Sequence, residues 1–211
     1  MRAFCENLCY NLCTRQRDRK NCRGGDQGIM LTKTEAMGYA VSEKNQRLSG
    51  PMKACASWAA LEEHDKVLDM ACGTGAMLNY LNGKMRLTLC GMCDSADQAR
   101  VISEQLGDAD VIAARMDDIP WRDNTFHAVL LSSGMRGDVK HILAEALRVL
   151  HAGGQFVMAA PVFSLRSENE LSRREMLRLM QEAGFRDVSF HASGLYGALI
   201  GWKSGKIDEL Q

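Results

Sequence analysis

The chain has 211 residues, enough for one principal domain with a sizeable core, and its 26 basic residues are balanced by 26 acidic ones. That balance speaks against a general nucleic-acid binder, and no run approaches the ~20 apolar residues of a membrane span. Eight cysteines, some inside apparent strands, predict reduced thiols in a cytoplasmic protein rather than a disulfide framework.

In chain order, Cys5, Cys9 and Cys13 come first, spaced to share a helical face with Phe4, Leu8 and Leu12. The reading is a helical lid or flank over residues 1–55 whose cysteines pack as small apolar groups and bind no metal. A zinc site would want tighter pairs and a second pair elsewhere. Glu6, Asn7 and Asn11 interrupt the stretch Phe4–Cys13, which does not fit a secretory signal. Arg15, Arg17, Arg19, Lys20 and Arg23 read as a solvated basic face.

From residue 56 to 211 the pattern alternates. Short apolar runs predict strands at about 66–70, 86–93, 110–115, 126–132 and 154–160. The clearest helix covers about 137–150, with Val139, Ile142, Leu143, Ala146, Leu147 and Leu150 at helical spacing. A further helix over about 172–183 stops at Gly184. Closing strands at about 186–191 and 195–202 are joined through Ser193-Gly194, short enough for an antiparallel hairpin. Such alternation implies a parallel sheet covered on both faces, with ligands beyond the carboxyl ends of its strands.

The most informative stretch is Lys66-Val67-Leu68-Asp69-Met70-Ala71-Cys72-Gly73-Thr74-Gly75, an apolar strand ending on an acid, followed by two glycines. The glycines permit a tight turn and close backbone approach to a ligand. A dinucleotide fingerprint wants a third glycine where Leu78 stands and no acid ahead of the first. The order therefore favours S-adenosylmethionine (SAM) over NAD, with an ordinary strand-to-helix turn as the bland alternative.

Val67–Gly75 resembles motif I of class I SAM-dependent methyltransferases. Leu89-Cys90-Gly91-Met92-Cys93-Asp94-Ser95 looks like their second strand and ribose-binding acid. The segment from Arg115 to Val129, with Asp117, Ile119-Pro120-Trp121, Asp123 and Phe126, is similar to the family's stretch before the fourth strand. Arg148-Val149-Leu150-His151-Ala152-Gly153-Gly154 resembles its turn before the fifth. The subgroup resembled contains ubiquinone/menaquinone C-methyltransferases and many small-molecule methyltransferases.

The resemblance implies a Rossmann-like α/β fold: a seven-stranded, mostly parallel sheet with helices on both faces and an antiparallel last strand. It implies SAM as cofactor, its demethylated form SAH as product, and a small or medium-sized methyl acceptor, with no nucleic acid expected. The implied cofactor residues are Asp69, Ala71, Gly73, Gly75, Asp94, Ser95, Met116, Asp117 and Ser132. No catalytic residue and no metal ligand is assigned.

Two positions depart from the family. A gapless match puts Cys93 at the ribose acid, so Asp94 serves only with a one-residue shift and could instead cap the next helix. Arg115 stands where an acid would accept from the adenine amine, which a guanidinium cannot do. Asp117 could substitute or be a solvated turn acid. His127, in place of a family Asp at the start of the fourth strand, reads as structural. Ser132, Ser133, Met135 and Arg136 fall where the family has substrate-facing residues. A SAM-binding homologue without transferase activity, regulatory or degenerate, is the alternative that these departures motivate. An NAD-linked oxidoreductase is the other.

Overall fold

The computed structural model describes residues 48–162 and 171–205, so the amino-terminal cysteines and the basic run lie outside the described residues. The elements are α1 (Gly50–Trp58), β1 (Lys66–Asp69), α2 (Ala76–Asn82), β2 (Thr88–Cys93), α3 (Ala96–Leu106), β3 (Asp110–Ala113), β4 (Phe126–Leu131), α4 (Val139–Val149), β5 (Leu150–Pro161), α5 (Arg173–Ala183), β6 (Arg186–Ser193) and β7 (Tyr196–Trp202).

One seven-stranded sheet has the order β3-β2-β1-β4-β5-β7-β6. The pairs from β3 to β5 are parallel, while β7 runs antiparallel to both β5 and β6. This is the expected Rossmann-like sheet with a reversed last strand. Successive residues of β1 face opposite ways. Val67 packs with Cys55, Met77, Leu78 and Ile102, placing α1, α2 and α3 on one face. Leu68 packs with Ile142, Leu143 and Met180, placing α4 and α5 on the other. Each fully buried Leu, Met or Phe contributes about 1.5–3 kcal/mol.

The helices start where capping chemistry allows. In α5, Ser172 and Glu175 form a capping box, and Gly184 ends the helix in the left-handed region. Helix α4 begins at Val139 rather than at Gly137, because Asp138 accepts from the amides of Lys140 and His141. Strand β5 begins at Leu150, earlier than the sequence pattern suggests, because Phe126 of β4 pairs with Leu150 ahead of Gly153-Gly154. Helix α1 overlaps the end of the expected helical flank over residues 1–55, for which no separate helix bounds were expected. Its signal is Ser49, which accepts from the Met52 amide, followed by Pro51 in the first turn. Helix α1 spans the expected boundary between residues 55 and 56, and Ala54 and Cys55 are buried in the core.

A polar clamp fixes the segment between β3 and β4. Arg148 on α4 donates to the carbonyls of Ile119 and Trp121 and to the carboxylates of Glu145 and Asp123. Glu145 in turn accepts from the Ile119 amide. Lys203 ties the chain beyond β7 to the same corner through the carbonyls of Arg148 and Leu150.

Candidate functional site

The sheet order reverses direction at β1, whose neighbours are β2 on one side and β4 on the other. A crevice at the carboxyl ends of such strands is where ligands bind in open α/β sheets. Asp69 is the last residue of β1 and is fully buried. Its Oδ1 accepts from the Ala71 amide at 3.1 Å. Its Oδ2 is buried with no hydrogen-bond partner among the described residues. Burial pushes the carboxyl up to about 7, with the Ala71 amide pulling the other way. A buried acceptor left this way costs free energy unless a donor arrives.

The turn after Asp69 is pinned on both sides. The Met70 amide donates to Leu130 of β4 and the Cys72 amide to Met92 of β2, each at 2.9 Å. Gly73 and Gly75 both take positive φ, +56° and +77°. They serve different ends. A Cβ on Gly73 would meet nothing nearer than the Ala71 carbonyl at 3.9 Å, so the space above it is open. A Cβ on Gly75 would come within 2.7 Å of Ile102, so that glycine lets α2 and α3 pack. The Gln98 side chain on α3 donates to the Gly73 carbonyl, a contact that the sequence reading missed.

At the end of β2, Cys93 and Asp94 take different surroundings. Cys93 points into the core, 6% exposed, and donates to the carbonyls of Ser95 and Ile112. Asp94 stands beyond it at the exposed rim and pairs with Arg136 from the segment after β4. Since β1 lies between β2 and β4, this ion pair reaches across the end of β1. The cap of α3 belongs to Ser95, whose hydroxyl accepts from the Gln98 amide, and not to Asp94. Ser95 is itself buried and turned toward its helix.

Farther along the rim, the Met116 side chain packs into the core with Ile119 and Trp121. Both Asp117 oxygens accept from Arg115, at 2.8 and 2.7 Å. That guanidinium holds the Asp117 carboxyl below the usual carboxylate range. Ser132 follows β4 and is nearly buried, 6% exposed. Cys55 enters the same region from α1, donating to the carbonyls of Leu131 and Val157. Burial and the nearby Asp69 push its thiol well up. His127 lies at the opposite, amino end of β4, where Nδ1 accepts from the Lys66 amide at 2.9 Å. Among the described residues no cluster of three or more His, Cys, Asp or Glu could hold a metal. No described helix is long and apolar enough to cross a membrane.

Residues 68–158, which include the end of β1, the glycine turn, Asp94 and the Arg148 clamp, match the methyltransferase domain family. That match, over less than half of the chain, likens it to methyltransferases. It is 31% identical to a demethylmenaquinone methyltransferase of Thermotoga maritima over 97 residues, 44% of this chain and 42% of that one. It is also 31% identical to a ubiquinone/menaquinone biosynthesis C-methyltransferase of Cereibacter sphaeroides over 114 residues, 50% of this chain and 46% of that one. The chain thus spans less than half the length of these relatives. In fold it resembles geranyl diphosphate C-methyltransferase of Streptomyces coelicolor, with a TM-score of 0.63 and 16% identity over 78% of this chain and 79% of that one. Asp69, Ala71, Gly73, Asp94 and Ser132 all stand at or just beyond the carboxyl ends of β1, β2 and β4. Gly75 and Ser95 serve helix packing and capping.

Proposed function

We propose that this protein binds SAM at the carboxyl end of β1 and transfers its methyl group to a small or medium-sized acceptor in a cytoplasmic setting. The observation that carries this reading is the unpartnered buried Oδ2 of Asp69 beneath the open glycine turn. An ammonium group, such as that of the cofactor's methionine portion, would give this oxygen its donor and hold the carboxylate charged. Gly73 would let the backbone approach that portion without a side chain between them. Asp94 would accept from the ribose hydroxyls, exchanging part of its bond with Arg136. With both Asp117 oxygens engaged by Arg115, the backbone around Met116 would line the adenine side instead.

When bound, SAM would supply an electrophilic methyl on its sulfonium. The chain's part is to orient the two reactants and exclude water. Ser132, Ser133, Met135 and Arg136 follow β4 directly and would face the acceptor. A second reading, SAM binding without transfer, is favoured by one observation: the guanidinium of Arg115 fills the carboxylate that could have read adenine.

A thermal scan with SAM, SAH and NAD tests the assignment. A ligand present at a hundredfold excess over its dissociation constant stabilises by ~2.7 kcal/mol, so SAM and SAH should raise the midpoint and NAD should not. A shift with NAD alone would overturn the cofactor. Transfer of labelled methyl from SAM into small molecules of a cell extract separates the two readings. Binding without any transfer would favour the second.

A further inference from the structure

We propose that Cys72 and Cys93 form a reversible cross-strand disulfide that switches the glycine turn between two states. Cys72 lies inside the turn, and Cys93 ends β2. The bond from the Cys72 amide to Met92 sets Cys72 beside Cys93, as a residue sits opposite its partner in a parallel ladder. Both side chains enter the same apolar cluster, with Leu78 and Ile102, and a Cβ on Gly91 would meet the Cys72 sulfur at 3.0 Å, on the face of β2 that Cys93 shares. Adjacent strands lie about 4.7–4.9 Å apart. A disulfide spans Cα separations of about 4.4–6.8 Å, so neighbouring strand positions lie within its reach. Cys90, the nearest other cysteine on β2, packs on the opposite face of the sheet.

The pair is chemically asymmetric. Cys93 donates its own proton to a carbonyl, either Ser95 at 3.3 Å or Ile112 at 3.7 Å. The neighbouring Cys72 thiol holds the Cys93 thiol below its ordinary range, while Cys93 and burial push Cys72 above it. With hydrogen peroxide as oxidant, the Cys93 thiolate attacks one oxygen, the O–O bond breaks, and hydroxide leaves a sulfenic acid. Cys72 then gives up its proton and attacks the Cys93 sulfur, forming S–S and expelling the hydroxyl as water. Two thiols and one peroxide become one disulfide and two waters. A dithiol reductant reverses the step.

Closure to an S–S bond of about 2.05 Å must move one residue toward the other. Cys93 is held from both sides, by the β1 end and by β3. Cys72 is tied as well, through its amide to Met92, so closure strains the turn and with it Gly73, over which the methionine portion would lie. A cofactor seated on the turn should slow the oxidation by covering it. Both consequences for the cofactor rest on the proposed function; the thiol link itself does not.

The test is peroxide oxidation of the full chain, followed by trypsin digestion without reduction. The expected product links residues 67–84 to residues 87–100, with Cys93 and not Cys90 as the partner. Cys90→Ser should retain the link, and Cys93→Ser should abolish it. SAH affinity, measured by titration calorimetry, should fall at least tenfold on oxidation, return with a dithiol, and stay unchanged on oxidation of Cys93→Ser. Absence of the linked peptide, or a link through Cys90, overturns the proposal, as does a linked protein with unaltered SAH affinity. If the reduced protein binds no SAH, the cofactor reading falls and the linked peptide alone decides the thiol pair.

Discussion

Replacing Asp69 with asparagine should stabilise the ligand-free protein while destroying its response to SAH. The native carboxyl titrates near 7 against an ordinary value of 3.8. Folding at pH 7.5 therefore costs about 4 kcal/mol, some three units at 1.36 kcal/mol each. The sign follows from the raised value. The penalty is absent below pH 3.8, grows as pH rises, and is complete above 7. Asparagine keeps the acceptor for the Ala71 amide but orphans an NH₂, which costs about 1–3 kcal/mol. The net gain is about 2 kcal/mol, or roughly 4–8 °C in midpoint for a chain of this size. At pH 5.5 the native penalty is only about 2 kcal/mol, so the advantage of Asp69→Asn should vanish there. Thermal scans of both proteins at the two pH values, with and without SAH, measure these differences. A difference between them that does not change with pH would refute the burial argument. An equal SAH shift in both would refute the ammonium assignment.

Gly73→Val should fold yet lose SAH binding in calorimetry, because the left-handed φ resists a branched side chain and the new methyls would enter the open space above the turn. Wild-type affinity in a folded variant would put the ligand elsewhere. Asp94→Ala should weaken SAH binding about tenfold, at the low end for a charge-assisted bond because Arg136 already competes for the carboxylate. Cys93→Ala should leave affinity near wild type and cost packing instead, and the reverse order would return the ribose contact to the gapless register.

Most strands and the later helices were legible because their apolar faces repeat locally. Strands β1, β4 and β7 and helix α5 fall within a residue of the expected bounds. The site was less legible because its contacts are long-range. Nothing near Asp94 announces Arg136, 42 residues away. Nothing near Gly73 announces Gln98, and nothing near Cys72 announces Cys93. Asp117 was visible as an acid, but its capture by Arg115 depends on side-chain reach rather than pattern. The Ser49 cap and Pro51 of α1 were readable, but that helix is short and its apolar content modest. The two glycines looked alike in sequence, although only packing against Ile102 separates the duty of Gly75 from that of Gly73.

The bond from Gln98 to the Gly73 carbonyl ties the glycine turn to α3, and the strand contacts of Met70 and Cys72 tie it to β4 and β2. A turn fastened at three points has little conformational freedom left to lose when a ligand arrives. Association then proceeds without a folding step, and the entropy of ordering is charged to the chain's own folding rather than to binding. A nucleotide arriving at this turn would meet a backbone already in place.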